Sequence, residues 1–159
     1  MATNPKVDEV RKAAIRLYSE AGTADQLMKD ITLLLHKEML KYNWVGFYML
    51  EPGADPPMLA LGHFEGAMTV HNRIPLNQGI CGAAASSGKT VVVDDVKKDP
   101  RYLACSTETK SEIVVPVFAR GRVVGELDID SHFMAAFALE DRELVEDCAQ
   151  LVSKRLENA

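Results

Sequence analysis

The spacing of apolar residues predicts helices at both ends of the chain and strands between them. Near the N-terminus, apolar side chains recur at steps of three and four residues, which is the spacing of one helix face. They fall into two runs: Val7, Val10, Ala14, Leu17, Tyr18 and Ala21, followed by Leu27, Ile31, Leu34, Leu35 and Met39. Gly22 would end the first helix, and Thr23 with Gln26 resembles a capping box that opens the second. The first stripe is short, so either the C-terminal helix or a second copy of the chain would cover it.

From Asn43 onward the period changes to two, which is typical of β-strands. Trp44, Gly46 and Tyr48 would then share one face of the first strand, and Gly46 would leave a gap over the backbone between the two rings. Turn-forming residues separate further strands, which are predicted at Met58–Phe64, Val70–Ile74, Thr90–Val93, Glu112–Ala119 and Arg122–Ile129. A last amphipathic helix is predicted over about Leu139–Leu156.

The order of these elements predicts the fold class. Helices that gather at the two ends and strands that fill the middle are typical of α+β proteins. We therefore expect a central antiparallel sheet with the N- and C-terminal helices packed on one face. Because no repeat, linker or low-complexity segment divides the sequence, residues 1–159 are predicted to form a single domain.

Composition narrows the classes of function. The chain is 47% hydrophobic and 26% charged, as in soluble globular proteins, and its formal charge of −5 disfavours binding to nucleic acid. No apolar run reaches the roughly 18–20 residues of a membrane span. The three cysteines form no C-x-x-C pair, which favours a cytoplasmic protein with reduced thiols. Metal-ligand spacing and phosphate loops are absent from the sequence, so neither a metal nor another cofactor is expected.

One segment of alternating acidic residues is unusual. If residues 125–131 form a strand, then Glu126, Asp128 and Asp130 share one face while Leu127 and Ile129 share the other. Neighbouring carboxylates repel one another unless they are solvated or paired with a cation. Two interpretations follow: a strand that faces solvent, or a site that captures an ammonium group or holds a proton for catalysis.

Two of the three cysteines stand in segments that are typical of reactive thiols. Cys81 follows Gly79 at the predicted start of a short helix, whose amides would lower the pKa of the thiol; the alternative is a small residue buried in a close-packed turn. Cys105 lies in a predicted polar loop, where thiols are more often reactive. Cys148 continues the apolar stripe of the last helix four residues after Leu144 and is predicted to belong to the core.

Several segments, taken in order, resemble those of one protein family. They are Asn43–Tyr48, Leu61–Gly66, Gly79–Gly82, Leu103–Cys105, Ser111–Pro116 and Leu127–Ser131. Over about residues 10–155 the sequence resembles the GAF-domain free methionine-(R)-sulfoxide reductases. The resemblance implies a GAF-like fold and a cytosolic enzyme that reduces free methionine-(R)-sulfoxide to methionine, with electrons from thioredoxin.

The resemblance also implies roles for individual residues. Cys105 matches the catalytic cysteine, and Cys81 matches a second cysteine of the family. Trp44 and Tyr48 match the walls of the substrate pocket. The alternative is that the strand face carrying these two rings is simply covered by a loop, which would be the preferred interpretation if the acidic strand were absent. The carboxylates that hold the substrate and assist protonation are matched by Glu112, Asp128 and Asp130.

The sequence departs from the family at one position. The family carries a further cysteine, the resolving thiol, ten residues before the position of Cys81, and this chain has His71 there. Either Cys81 resolves the sulfenic acid at Cys105 or an external small thiol does so, and His71 either contributes a proton or a positive charge or is an ordinary surface residue. The alternative function is a non-catalytic GAF domain that binds a small molecule or acts as a sensor. The end helices would also suit an intermolecular bundle, which would make the protein a homodimer.

Overall fold

The helices predicted at the ends of the chain are present, and the strands lie between them. A computed structural model describes residues 4–103 and 106–158. In this part of the chain the helices are α1 (Pro5–Glu20), α2 (Ala24–Glu38), α3 (Gly79–Ser87) and α4 (Leu139–Glu157). The strands are β1 (Trp44–Leu50), β2 (Met58–Glu65), β3 (Arg73–Pro75), β4 (Val91–Val93), β5 (Ser111–Ala119) and β6 (Arg122–Ser131). A short 3-10 helix covers Val96–Lys98.

The strands form one antiparallel sheet in the order β3-β2-β1-β6-β5-β4. The long strands β5 and β6 are joined by a hairpin whose turn residues, Arg120 and Gly121, have φ angles of 52° and 77°. Positive φ at both turn residues is the geometry of a type I′ turn, whose twist matches that of the flanking strands. This hairpin, together with β1, forms the centre of the sheet.

The two faces of the sheet are covered by different elements. Phe47 on β1, Ile113 on β5 and Leu127 on β6 are fully buried against α1, α2 and α4. On the opposite face, Tyr48 of β1 lies in a second apolar cluster with Cys81 of α3. Because strand side chains alternate between faces, each central strand contributes to both layers. The predicted α+β arrangement, with the terminal helices on one face, is confirmed.

The N-terminal stripe is covered within the same chain. Val7 and Val10 are buried, and α1 packs against both α2 and α4. Arg11 of α1 donates from Nε to Oδ2 of Asp147 on α4 at 2.8 Å. The C-terminal helix, one of the two partners predicted for the apolar stripe of α1, therefore packs against this stripe.

The start of α2 follows the predicted cap only in part. The Thr23 hydroxyl accepts a hydrogen bond from the Gln26 backbone N–H at 3.1 Å, as expected for an N-cap. The Gln26 side chain, however, donates to Asp30 at 2.8 Å. This side-chain contact replaces the return bond of a capping box, because the carboxylate one turn further along the helix is a stronger acceptor.

The strand predicted at Val70–Ile74 is shorter than expected. β3 begins at Arg73, and Val70 is 82% exposed in the loop that precedes it. Val70 fits the alternating pattern of a strand but has no partner in the sheet, so an extended conformation there gains no stability from strand pairing. The residues before Arg73 instead form a connection in which the His71 carbonyl accepts a hydrogen bond from the Tyr48 hydroxyl.

None of the helices in the described part of the chain has the length and apolar character that a membrane span requires.

Candidate active site

The acidic residues singled out from the sequence lie together on one face of the sheet. Glu126, Asp128 and Asp130 alternate along β6, and Glu112 on β5 lies directly opposite Asp130. The exposed fraction is 0% for Glu126, 4% for Asp128, 4% for Asp130 and 5% for Glu112. The interpretation of this segment as a solvent-facing strand is therefore wrong. The strand instead forms the floor of a buried acidic cluster, by which we mean these four residues.

Burial raises the pKa of carboxyl groups in the acidic cluster. For Glu112 the loss of water is the largest cause, followed by the charges of Asp128 and Asp130. The pKa values of Glu126 and Asp128 are also raised mainly by burial, and the nearby Cys81 thiol acts in the opposite direction on both. A buried carboxylate without a cation is costly, and the group takes up a proton instead. The cluster therefore keeps its protons to a higher pH than exposed carboxyl groups would.

Cys81 is the third residue of α3 and faces the acidic cluster. Its Sγ donates to Oδ2 of Asp128 at 3.4 Å, and the residue is 5% exposed. Burial raises the pKa of the Cys81 thiol well above its usual value, and the charges of Asp128, Glu126 and Glu112 raise it further. The sequence-based expectation of a lowered pKa is thus wrong, because the nearby carboxyl groups and the loss of water outweigh the helix amides. Cys81 is a protonated thiol that donates to a carboxyl oxygen.

A small cavity lies beside Cys81 and the acidic cluster. Its volume of about 30 Å³ gives room for one or two water molecules. Residues of β1, β3, β5, β6, α3 and the connections around them form its wall, namely Tyr48, His71, Ile74, Gly79, Ile80, Cys81, Tyr102, Leu103, Glu112 and Asp128. The cavity therefore joins a thiol, two carboxyl groups and two phenol rings in a largely apolar surrounding, which is the usual character of a small-molecule site.

The Trp44 side chain fills the gap that was predicted above Gly46. A Cβ atom at Gly46 would overlap the Trp44 ring, so the ring lies directly over this glycine. The ring stacks on Phe64 with centroids 5.7 Å apart, and its Nε1 donates to the Ala67 carbonyl at 3.0 Å. The predicted gap above Gly46 is therefore occupied by the neighbouring indole. Trp44 lies opposite Asp130 in the sheet but does not line the cavity that the described residues form.

Tyr48 and His71 meet at the cavity. The Tyr48 hydroxyl donates to the backbone carbonyl of His71 at 2.8 Å, and both residues line the cavity wall. The backbone N–H of His71 donates to the Thr69 hydroxyl at 3.1 Å. His71 is half-buried here, so this histidine belongs to the wall of the candidate site.

Of the two remaining cysteines, Cys148 lies within the described residues and Cys105 does not. Cys105 lies outside the described residues; Tyr102 and Leu103, which precede it in the chain, line the cavity. Cys148 is fully buried in the core of the opposite face, and burial raises the pKa of its thiol to about 12. Its predicted place in the core agrees with the structure.

The sequence profile of the GAF domain matches residues 23–156, and the antiparallel sheet with helices on one face is consistent with that fold. The free methionine-R-sulfoxide reductase of Saccharomyces cerevisiae is 41% identical over 113 residues, which are 70% of this chain and 62% of that protein. The enzyme of the same name from Escherichia coli is 34% identical over 116 residues, which are 73% of this chain and 67% of that protein. The chain thus spans somewhat less than two thirds of the yeast relative.

A solved structure agrees with these sequence matches. The free methionine-R-sulfoxide reductase of Neisseria meningitidis, in complex with its substrate, superposes with a TM-score of 0.89 at 33% identity, over 99% of this chain and 93% of that one. The chain therefore belongs to the family of GAF-domain free methionine-R-sulfoxide reductases. This membership favours the reductase over the alternative of a non-catalytic sensor domain.

Sequence reasoning missed part of the cavity wall. Tyr102 and Leu103 stand next to the segment that carries Cys105, so their position in the chain was the only available signal. Ile74 and Ile80 follow no pattern that distinguishes wall from core. Glu126 was noticed in the alternating strand but received no role from the resemblance. The structure places it in the cluster because strand alternation puts it on the same face as Asp128.

Replacing Glu126 with glutamine tests the protonation of the cluster. A free Glu side chain ionises near 4.5, and burial raises the pKa of Glu126 in the folded chain. Above pH 4.5 the unfolded chain has lost the Glu126 proton, whereas the folded chain still holds it. The free energy of unfolding therefore falls as the pH rises, until the pH passes the pKa of Glu126 in the folded state. Glu126→Gln removes this contribution. The decrease in unfolding free energy from pH ~5 to pH ~8 should therefore be smaller in this variant than in the wild type.

The measurement is urea unfolding at several pH values. Glu143→Gln, on the exposed side of α4, is the matched control and should keep the wild-type pH dependence. If Glu126→Gln and the wild type lost stability equally with rising pH, the assignment of a protonated Glu126 would be wrong.

Proposed function

We propose that this protein reduces free methionine-(R)-sulfoxide to methionine through a cysteine sulfenic acid at Cys105. The observation that carries the proposal is the acidic cluster, which lies beside Cys81 and a cavity with aromatic walls. Family membership supports the same activity, since relatives of the chain bear the name of this reductase.

The acidic cluster suits the α-ammonium group of a free amino acid. A buried carboxyl group that loses its proton needs a cation nearby, and an incoming ammonium group supplies that charge. Glu112 and Asp128 line the cavity, and Asp130 acts electrostatically on Glu112 from the neighbouring strand. These three residues are proposed to hold the ammonium group. A peptide-bound methionine lacks this charge, so the cluster would favour the free amino acid.

The apolar part of the substrate would meet the aromatic side of the site. Tyr48 and Tyr102 line the cavity, and Trp44 covers the end of β1 next to Asp130. We propose Trp44 and Tyr48 as walls for the methyl and methylene groups. A free amino acid needs more room than the present cavity of about 30 Å³, so binding must displace side chains of its wall.

The reaction would proceed in two redox steps. The thiolate of Cys105 attacks the sulfoxide sulfur while a carboxylic acid of the cluster protonates the oxygen. This gives an adduct in which the substrate sulfur carries both the Cys105 sulfur and a hydroxyl group. The hydroxyl then transfers to the Cys105 sulfur while the S–O and S–S bonds at the substrate sulfur break, so methionine leaves and Cys105 becomes a sulfenic acid. The raised pKa of Glu112 and Asp128 supports this donor role, because a carboxyl group must keep its proton at neutral pH to deliver it. A second thiol then forms a disulfide with Cys105 and releases water.

Cys81 is the proposed second thiol. It is the family-matched cysteine that remains when His71 replaces the usual resolving residue, and it faces the cavity that Leu103 also lines. A dithiol protein of the thioredoxin type would then reduce the disulfide; a small thiol is the alternative reductant if Cys81 does not take part. A cytoplasmic location fits this chemistry, since reduced thiols persist there. A homodimer remains a prediction from the sequence.

Substitution of Cys105 tests the attacking thiol. Cys105→Ser should reduce methionine formation in a single turnover to background, because a hydroxyl is a far weaker nucleophile than a thiolate. Cys148→Ser is the matched control: it removes a buried thiol on the opposite face of the sheet and should keep the yield of methionine. Methionine is quantified by chromatography after quenching. Full single-turnover activity in Cys105→Ser would reject Cys105 as the nucleophile.

Acetylation of the substrate amine tests the acidic cluster. N-acetylmethionine-(R)-sulfoxide has no ammonium charge and more bulk, so its kcat/KM should be about 10- to 100-fold lower, the loss expected for a hydrogen bond to a charged group. Asp128→Asn should narrow this ratio, since it removes part of the charge that discriminates. Steady-state rates with both substrates decide the matter. Equal rates for the free and the acetylated sulfoxide in the wild type would contradict an ammonium-binding cluster.

Cysteine mapping tests the role of Cys81. When the reduced protein receives one equivalent of substrate, a Cys81–Cys105 disulfide should form, and mass spectrometry after alkylation of free thiols should identify it. A matched sample of Cys81→Ser should instead accumulate a sulfenic acid at Cys105 that a dimedone-type reagent traps. If the wild type also kept a trappable sulfenic acid with Cys81 free, an external thiol would be the resolving agent.

A further inference from the structure

Three elements that are distant in sequence bring metal-ligating atoms together in the candidate site. Cys81 comes from α3, Glu112 from β5 and Asp128 from β6. The Sγ atom and one carboxyl oxygen of each acidic residue all lie within 4.8 Å of one another, and all three residues are buried. No metal was expected from the sequence because these three residues have no metal-ligand spacing along the chain; they come together only in the folded sheet.

Unsatisfied oxygens accompany this group. The second carboxyl oxygen of Asp128 and both oxygens of Glu126 have no partner at hydrogen-bonding distance and angle among residues 4–103 and 106–158. Glu126 is fully buried, and its side chain acts electrostatically on Cys81. Buried polar atoms in native proteins are nearly always satisfied, so such a concentration indicates a place for an ion or a ligand. The adjoining cavity has room for a bound water.

We propose that Cys81, Glu112 and Asp128 form a site for one Zn²⁺ ion in the reduced protein, with water from the cavity as the fourth ligand. On binding, a Zn–S bond replaces the S–H bond of Cys81, and its proton passes to solvent; any proton held on Glu112 or Asp128 is released in the same way. The inference rests on the proposed function only for its effect on catalysis.

The donor set fits zinc better than other common cations. Carboxylates alone suit Mg²⁺ or Ca²⁺, but a thiolate ligand favours a softer ion, and mixed sulfur and oxygen ligands are accepted by Zn²⁺. In a tetrahedral zinc site, bond lengths of ~2.3 Å to sulfur and ~2.0 Å to oxygen put these two ligands about 3.5 Å apart. The distance from Sγ of Cys81 to Oδ2 of Asp128 is 3.4 Å. Little movement of this pair is needed.

Zinc in this position would switch off the reductase reversibly. It would occupy Glu112 and Asp128, which are proposed to hold the substrate ammonium group, and would keep the Cys81 sulfur from the disulfide step. Substrate and metal would therefore compete, and a chelator would restore activity. The ion would also protect the thiol from oxidation while no substrate is present.

Cobalt binding to the protein without substrate tests the site. Co²⁺ is a spectroscopic substitute for Zn²⁺, and a thiolate ligand gives it an intense charge-transfer band in the near ultraviolet. Titration of the reduced protein should produce this band with one Co²⁺ per chain, and Zn²⁺ should abolish it. Cys81→Ser should remove the band, and Glu112→Gln should weaken Co²⁺ binding by at least about 10-fold. Cys105→Ser and Cys148→Ser are the matched controls and should keep both the band and the affinity.

The outcomes separate this inference from the proposed activity. Circular dichroism of each variant verifies folding, and Glu112→Gln decides the case if Cys81→Ser does not fold. A band that persists in a folded Cys81→Ser, disappears in Cys105→Ser, or never forms overturns the zinc site whether or not the protein reduces the sulfoxide. Conversely, the band with the predicted variant pattern supports the site even in a preparation that shows no reductase activity. Where activity is present, micromolar Zn²⁺ should inhibit it in competition with substrate, and EDTA should reverse the inhibition.

Discussion

Glu112 on β5 and Glu126, Asp128 and Asp130 on β6 place four carboxyl groups on one face of the sheet, nearly out of contact with water. Removing a carboxylate from water costs several kcal/mol unless a cation or hydrogen bonds replace the solvent. The groups that act most directly on Glu112 are other carboxyls, so the cluster responds by retaining protons. This electrostatic constraint determines both the chemical state of Cys81 and the kinds of ligand that the site attracts.

The fold must supply the stability that this cluster removes. Alternation along the same two strands gives the opposite face an apolar row, including Ile113, Leu127 and Ile129, which packs beneath three helices. Burial of large apolar side chains contributes roughly 1.5–3 kcal/mol each. A single pair of strands thus carries the stabilising core on one side and the destabilising chemistry on the other. A change of register by one residue would exchange the two faces and destroy both.

The sequence predicted the fold well because the core follows simple periodicities. Helix spacing at Val7 and Val10, and strand alternation from Trp44, identify which residues face inward once helices and strands are recognised. The same alternation placed the carboxyl groups of β6 on one face but could not decide whether that face meets water. The answer depends on α3 and on the connections that cover the sheet, which are long-range contacts with no local signature.

Two errors of chemistry have the same origin. At Cys81 only the helix amides were visible in the sequence, whereas in the structure burial, followed by the charges of nearby carboxyl groups, raises the pKa of the thiol. At Gly46 the missing side chain predicted empty space, but the indole of Trp44 folds over it. That indole belongs to the only tryptophan in the chain. Its emission spectrum is therefore a built-in optical reporter of this end of the sheet, without a label and without background from other indoles.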